Sequence, residues 1–331
     1  EGRPVVENQG FDHEERDPKV FWHEPAGRWI MALWVQVNPG RVRFFTSKNL
    51  VDCEFASDLL RDWAFECMDA VVLPIDGDPS RQRLLLYDAS FVYEVGTFDG
   101  REFHTEFGPF QAGGGNFYAA QTFYNEPRQR AVQIGWMRGG PNSAEKYGAP
   151  FNQQMSFPCE LTLRTVGDDV RVFAGPVPEI ESLWGEQRAL ANVALLDGVN
   201  VLEGESPLDL VDAEIVFDPG DAERIEVRLA GAELAYDCAN QRLTLLAVND
   251  RGDVEVRNVF EGLEARDGMI ELRILVDRLS VEVYAFGGEK FHAAYIAPNP
   301  QDAKPKFVAR GGAAQLERMK LRRLRSAWEK P

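Results

Sequence analysis

Short runs of β-branched and aromatic residues, broken every few positions by Gly, Pro, Asn or Asp, fill the chain, and helical periodicity is scarce. The runs recur in a fixed order. Val20-Phe21-Trp22, a turn over 23–28 and Trp29-Ile30-Met31-Ala32-Leu33-Trp34 predict a hairpin. The same grammar returns at Val71-Val72-Leu73, a turn over 75–81 and 84–87, and again at Thr122-Phe123-Tyr124, a turn over 125–129 and 131–136. Phe21, Val72 and Phe123 stand 51 residues apart each time. Two further strands follow each hairpin: 42–46 and 53–56, then 91–96 and 102–105, then 155–163 and 170–174. Four antiparallel strands at a period of about fifty residues is the pattern of β-propeller blades. A β-sandwich with coincidental spacing is the alternative.

The period lapses near residue 187. Strands predicted over 214–217, 225–229, 242–246, 270–276, 279–285 and 307–310 follow with no crossover helix between them, which predicts a β-sandwich. Alternation in Leu279-Ser280-Val281-Glu282-Val283-Tyr284 predicts a half-buried strand. The stretch 176–189, with Pro176, Pro178 and a short helical signal, is the expected linker. The expected fold class is all-β: a partial β-propeller of about three blades over 11–186, then a β-sandwich over 187–328.

Composition narrows the partners. The 331 residues are enough for two cores, and 44% hydrophobic with 27% charged residues is ordinary for a globular chain. No run of 18 apolar residues occurs, so no membrane-spanning helix is expected. The first residues lack the basic start and apolar stretch of a signal peptide, which leaves localisation open between secreted and cytoplasmic. A net charge of -17 argues against nucleic acid and anionic membranes and suits a neutral ligand such as a sugar. Four cysteines (Cys53, Cys67, Cys159, Cys238) and four histidines (His13, His23, His104, His292) show no metal-binding spacing. Neither a metal nor a cofactor is expected.

In a propeller the inner strand of each blade starts at the central channel, so residues just ahead of it converge. Arg16-Asp17-Pro18, Phe65-Glu66-Cys67 and Asn116-Phe117-Tyr118 occupy those places. Asp17 and Glu66 therefore aim from adjacent blades into one funnel. Glycoside hydrolysis needs paired carboxyls, one to protonate the leaving oxygen and one to attack or stabilise the sugar cation. Strand-start acids are ordinarily satisfied by backbone N–H groups, and only the matched register argues for chemistry here.

These segments resemble glycoside hydrolase family 32. Glu15-Arg16-Asp17-Pro18-Lys19-Val20-Phe21-Trp22 is similar to its Arg-Asp-Pro motif, and Phe65-Glu66-Cys67-Met68-Asp69 to its Glu-Cys motif, with Met68 where Pro is usual. Val95-Gly96-Thr97-Phe98-Asp99-Gly100, Phe117-Tyr118-Ala119-Ala120-Gln121-Thr122-Phe123, Gly135-Trp136-Met137 and Met155-Ser156-Phe157-Pro158 match in order and spacing, and Ser280-Val281-Glu282-Val283-Tyr284 resembles a strand of the C-terminal sandwich. The resemblance runs from about Asp17 to Trp328. It implies a five-bladed propeller plus sandwich, and retaining hydrolysis of β-fructofuranosyl bonds in sucrose or fructans. Glu66 would be the general acid/base and Asp17 the transition-state stabiliser. Arg16, Cys67, Tyr118 and Trp136 would bind substrate, with blade core as the alternative place for Tyr118 and Trp136.

Two departures accompany the match. The family's nucleophile is an Asp in a Trp-Met-Asn-Asp-Pro-Asn-Gly-type segment, and no such segment occurs in this sequence. By the repeat period about two upstream blades, on the order of a hundred residues, are expected to be lacking. Asp12, Glu14 and Glu15 precede the same strand as Asp17 and are not expected to face Glu66 across the channel. In Ala112-Gly113-Gly114-Gly115-Asn116 no acid stands where relatives often place an Asp near the sugar. Three blades leave open sheet edges, so a homo-oligomer or a complementing N-terminal fragment is expected to cover them. The competing readings are a catalytically dead fructan-binding or assembly protein and a propeller glycosidase acting on pentosides.

Overall fold

In the computed structural model, residues 2–139, 148, 150–249, 251, 253–296 and 304–328 are described. The chain divides into two compact units. The first holds residues 1–113, 118–136 and 158–174; the second holds 114–117, 137–157 and 175–331.

The first unit is built from four-stranded blades. β1 (Glu15–His23), β2 (Arg28–Val35), β3 (Gly40–Ser47) and β4 (Glu54–Arg61) form one antiparallel sheet in chain order. The β1–β2 connection is a 3-10 turn, Glu24–Ala26, with Pro25 pre-set for its first turn and Gly27 closing it at φ 57°, a left-handed position where glycine costs least. Val20 faces Met31 and Trp22 faces Trp29, as the hairpin pattern predicts. The second blade is β5 (Asp69–Ile75), β6 (Asp78–Tyr87), β7 (Val92–Phe98) and β8 (Phe103–Gln111). Its first turn is tighter than the expected 75–81: Asp76 and Gly77, both at positive φ, make a two-residue hairpin loop.

The third blade runs β9 (Phe117–Thr122), β10 (Ala131–Met137), β12 (Cys159–Val166) and β13 (Asp169–Pro176). The expected strand 155–163 is split: the two-residue β11 (Gln154–Met155) stands apart from β12, and Pro158, which has no N–H to donate to a ladder, lies between them. A single parallel pairing, Leu163 with Ile75, joins the second and third blades into one sheet. By contrast, β1–β4 forms a sheet of its own. Ile30, Ala32, Trp34, Val42, Phe44, Met68, Ala70, Leu84 and Leu86 make one continuous core.

The second unit is a sandwich of two antiparallel sheets. One has the order β14 (Trp184–Leu195), β24 (Ala314–Leu324), β15 (Val211–Asp218), β20 (Ile270–Asp277), β21 (Ser280–Ala285), β22 (Lys290–Tyr295). The other has the order β19 (Val254–Phe260), β18 (Arg242–Val248), β17 (Ala232–Asp237), β16 (Arg224–Leu229), β23 (Lys306–Arg310). Phe217, Ile215, Val227, Leu229, Leu245, Ile274, Val281, Val283 and Leu316 fill the space between the sheets. Two expectations change here. The stretch read as a linker holds a 3-10 turn at Pro178–Leu183, and from Trp184 it is already β14. β21 is buried on both faces, not half-buried. Its outer face is covered by the 154–157 segment, where Gln154 Nε2 donates to Ser280 Oγ at 2.6 Å and the Phe157 N–H donates to Glu282 at 2.7 Å.

Candidate functional site

The start of each inner strand in the first unit carries one non-glycine residue in the left-handed region: Asp17 at φ 58°, Cys67 at φ 53° and Ala119 at φ 51°. Such residues are strained, and three at a matching place mark one repeated bend. In β1 the bend coincides with a ladder irregularity between Arg16 and Lys19. It fixes which residues are equivalent. Asp17 corresponds to Cys67, whereas Glu66 corresponds to Arg16 and Tyr118. The matched register expected for Asp17 and Glu66 is therefore off by one residue, because the bends hide from a pattern of apolar positions.

The equivalence produces layers. In the first, Arg16 Nη2 donates to Glu66 Oε2 at 2.5 Å, and the Tyr118 hydroxyl donates to Glu66 Oε1. Three blades thus meet on one carboxylate, whose side chain keeps 19% exposure. In the second layer the Cys67 N–H donates to Asp17 Oδ2 at 3.0 Å, with the Cys67 Sγ 3.6 Å from the same oxygen. Arg16 spans the layers: its Nε lies 3.4 Å from Asp17 Oδ2. The two carboxyl groups consequently lie within about 9 Å of each other, a separation across which glycosidase carboxyls act. The Arg16 guanidinium also sits 4.7 Å over the Trp34 ring, and Glu14 pairs with it from outside. Trp136 meets the group through the Tyr118 ring, 6.2 Å between centroids and edge-on.

The hydrogen bond to Glu66 and the two nearby carboxylates push Arg16 above its ordinary range despite desolvation. Burial, then the charges of Asp17 and Glu66, push the Cys67 thiol up to about 12, so it stays a neutral thiol and is a poor nucleophile.

The third layer was not anticipated. Asp69 is fully buried and accepts from Lys19 Nζ at 2.7 Å, the Tyr87 hydroxyl at 2.7 Å and the Thr122 N–H at 2.5 Å. Lys19 Nζ also donates to Thr122 O at 3.0 Å and Thr122 Oγ1 at 2.8 Å. Burial beside Asp69 holds the Tyr87 hydroxyl well above its ordinary pKa. The only signal in the sequence was position: Lys19 follows Asp17 by two residues, and Asp69 closes the Glu-Cys segment. Asp88 was also missed. It is buried and pushed up to about 6, and it accepts from the N–H groups of Ser90 at 3.0 Å and Val92 at 2.9 Å. The adjacent Ala89 N–H holds the Glu66 carbonyl at 3.0 Å. The glycine-rich stretch departs differently: Gly114–Phe117 belongs to the second unit, where the Asn116 N–H donates to the Ala293 carbonyl at 2.7 Å.

Among the described residues no group of three or more His, Cys, Asp or Glu could hold a metal ion, and no helix is long and apolar enough to cross a membrane.

Fold and site together define a class: an all-β chain of propeller blades followed by a sandwich, with carboxyl groups gathered where the inner strands begin. The family model described as glycosyl hydrolases family 32 N-terminal domain matches residues 1–174, and the family 32 C-terminal model matches 179–323. The chain belongs to glycosyl hydrolase family 32. The N-terminal match gives no support to the expectation that blades of that domain are lacking. A levanase of Bacillus subtilis (strain 168) is 28% identical over 99% of this chain and 53% of its own length. An extracellular exo-inulinase of Aspergillus niger is 24% identical over 98% of this chain and 68% of its own. The chain thus spans about half to two thirds of these relatives. The crystal structure of exo-inulinase from Aspergillus awamori superposes with a TM-score of 0.79 at 22% identity, covering 95% of this chain and 68% of that one. A fructofuranosidase from Schwanniomyces occidentalis complexed with fructosylnystose gives 0.79 at 19%, covering 98% and 72%.

Proposed function

We propose that this chain carries the acid–base part of a retaining β-fructosidase acting on sucrose or on fructans such as inulin and levan, with the chemistry assigned to residues 11–186 and the sandwich, 187–328, accompanying it. One observation carries the reading: three blades converge on the Glu66 carboxylate through Arg16 and Tyr118, with Asp17 held beside it. The levanase, the exo-inulinases and an invertase of Saccharomyces cerevisiae among the relatives support the substrate class. In this reading Glu66 protonates the leaving oxygen and later takes a proton from water. Asp17 stabilises the fructosyl cation and holds sugar hydroxyls. Arg16 and Tyr118 fix the Glu66 rotamer, the neutral Cys67 thiol packs against the pair, and Trp136 backs the pocket wall.

The retaining route also needs an attacking carboxylate on the opposite sugar face, a role neither Asp17 nor Glu66 fills. We assign it to the family's Asp segment, supplied by a complementing N-terminal fragment; that fragment or a second copy of the chain would cover the sheet edges. A fructan-binding or assembly protein without hydrolysis is the second reading. The test assays the purified chain on sucrose, inulin and levan, with and without a fragment bearing the Asp motif, while light scattering reports mass. Turnover is expected only with the fragment. Glu66→Gln should then abolish it on sucrose and spare an activated aryl fructoside more, since that leaving group needs less protonation. Equal loss on both substrates removes Glu66 as the acid. An active monomer refutes the need for a supplied nucleophile, and levan binding without turnover in either preparation selects the second reading.

A further inference from the structure

We propose that the ion pair of Lys19 with the buried Asp69, closed on Thr122, is a positioning element that sets the distance between Asp17 and Glu66. What those two carboxyls do rests on the function proposed above; the positioning itself rests on geometry alone.

Blades one and two need such a device because, among the described residues, no strand pairing aligns them. β1 and β5 belong to different sheets, and among the described residues no ladder joins them. The second and third blades at least share the parallel pairing of Ile75 with Leu163. The offset of Asp17 against Glu66 must therefore come from side chains. Lys19 lies two residues past Asp17, and Asp69 three past Glu66. A contact of 2.7 Å between them fixes the two strands one layer beneath the carboxyls.

The cluster is fully satisfied. The three ammonium donors of Lys19 meet Asp69 Oδ1, Thr122 O and Thr122 Oγ1. The Asp69 oxygens also take the Tyr87 hydroxyl, the Thr122 N–H and the Ala70 N–H at 2.7 Å. A buried pair is a weak source of stability, because desolvation offsets much of the attraction, but its directionality is high. An apolar or neutral replacement is thus expected to keep the fold and lose the alignment, a signature a purely structural pair would not show.

Cys67 reports that alignment without any turnover. Its half-buried thiol lies 3.6 Å from Asp17 Oδ2, near Glu66 and Arg16, and alkylation follows the thiolate fraction. The full chain is alkylated with iodoacetamide across pH 7 to 10, and the Cys67 peptide is quantified by mass spectrometry for wild type, Lys19→Arg, Lys19→Met and the double variant Lys19→Met/Asp69→Asn. If the layers loosen, the thiol hydrates and moves away from Asp17. Its alkylation rate at pH 9 should then rise about tenfold, one unit of pKa, in Lys19→Met and the double variant, and stay within twofold in Lys19→Arg. A folded double variant with the wild-type profile overturns the proposal. So does a double variant that cannot fold, since the pair is then a fold determinant. In a complemented, active preparation the double variant should lose kcat by more than its KM changes. Absence of turnover in every preparation counts against the fructosidase reading and leaves the Cys67 result to decide the positioning.

Discussion

Within the sandwich, Glu282 and His292 should impose opposite pH dependences that conceal each other. Glu282 is wholly buried, and desolvation raises its carboxyl from 4.5 to about 7; Asp277 adds to this, while hydrogen bonds from Tyr284 at 2.5 Å and Phe157 at 2.7 Å oppose it. His292 is buried against Phe260, and desolvation, then the charge of Arg257, lower it from 6.5 to about 4. The folded unit holds the Glu282 proton to higher pH than the unfolded chain does. Its contribution is complete below 4.5 and is lost as pH rises through about 7, roughly 3 kcal/mol at ~1.4 kcal/mol per unit. The folded unit keeps His292 neutral. That contribution is complete above 6.5 and is lost as pH falls through about 4, again about 3 kcal/mol. Between 4.5 and 6.5 the two slopes cancel, so the wild-type sandwich should be nearly flat there. Glu282→Gln keeps an acceptor for Phe157 and a donor toward Tyr284 but removes the titration. Its stability should climb by about 3 kcal/mol from pH 4 to 6.5. His292→Asn should show the mirror image, falling between 4.5 and 7, and the double variant should be flat. Urea unfolding at stepped pH, followed by hydrogen exchange of β21 and β22 peptides, reads this unit separately from the blades. A Glu282→Gln variant with the wild-type pH profile would refute the reasoning.

Two further substitutions test the packing. Gly115→Ala, at φ +72°, would place a methyl 2.2 Å from the Ala293 carbonyl oxygen and 2.4 Å from His292 Nε2, so a loss of at least ~2 kcal/mol in urea unfolding of the sandwich is expected, and an unchanged midpoint would contradict that close approach. Tyr87→Phe deletes the hydroxyl held by Asp69 at 2.7 Å and should cost about 1–3 kcal/mol in the blades, seen as a lowered melting temperature; no shift would mean that the remaining donors satisfy Asp69 without it.

The blades were legible because a repeat of fifty-one residues is written in the sequence itself: Phe21 and Val72 lie within the inner strands β1 and β5, and Phe123 directly follows β9. What the pattern could not carry was the residue-level register. A strand slipped by one position presents its other face, and the slip here comes from left-handed bends at Asp17, Cys67 and Ala119, none of them a glycine that would announce itself. β14 went unread for a related reason: Gly185-Glu186-Gln187-Arg188 is polar because the strand is the edge of its sheet and mostly exposed, so no alternation marks it. Lys19 and Asp69 are the sharper case. Their types predict surface positions, and only the folded chain shows Asp69 fully buried with the half-buried Lys19 paired to it. The same bend that hid the register is what turns Arg16, Glu66 and Tyr118 toward one point while leaving Asp17 a layer below. A chain with regular inner strands would have matched the simple expectation and set Asp17 and Glu66 in a single ring. The offset places a cation, Arg16, across both carboxyls instead, and its charge offsets the repulsion between two acids held this close.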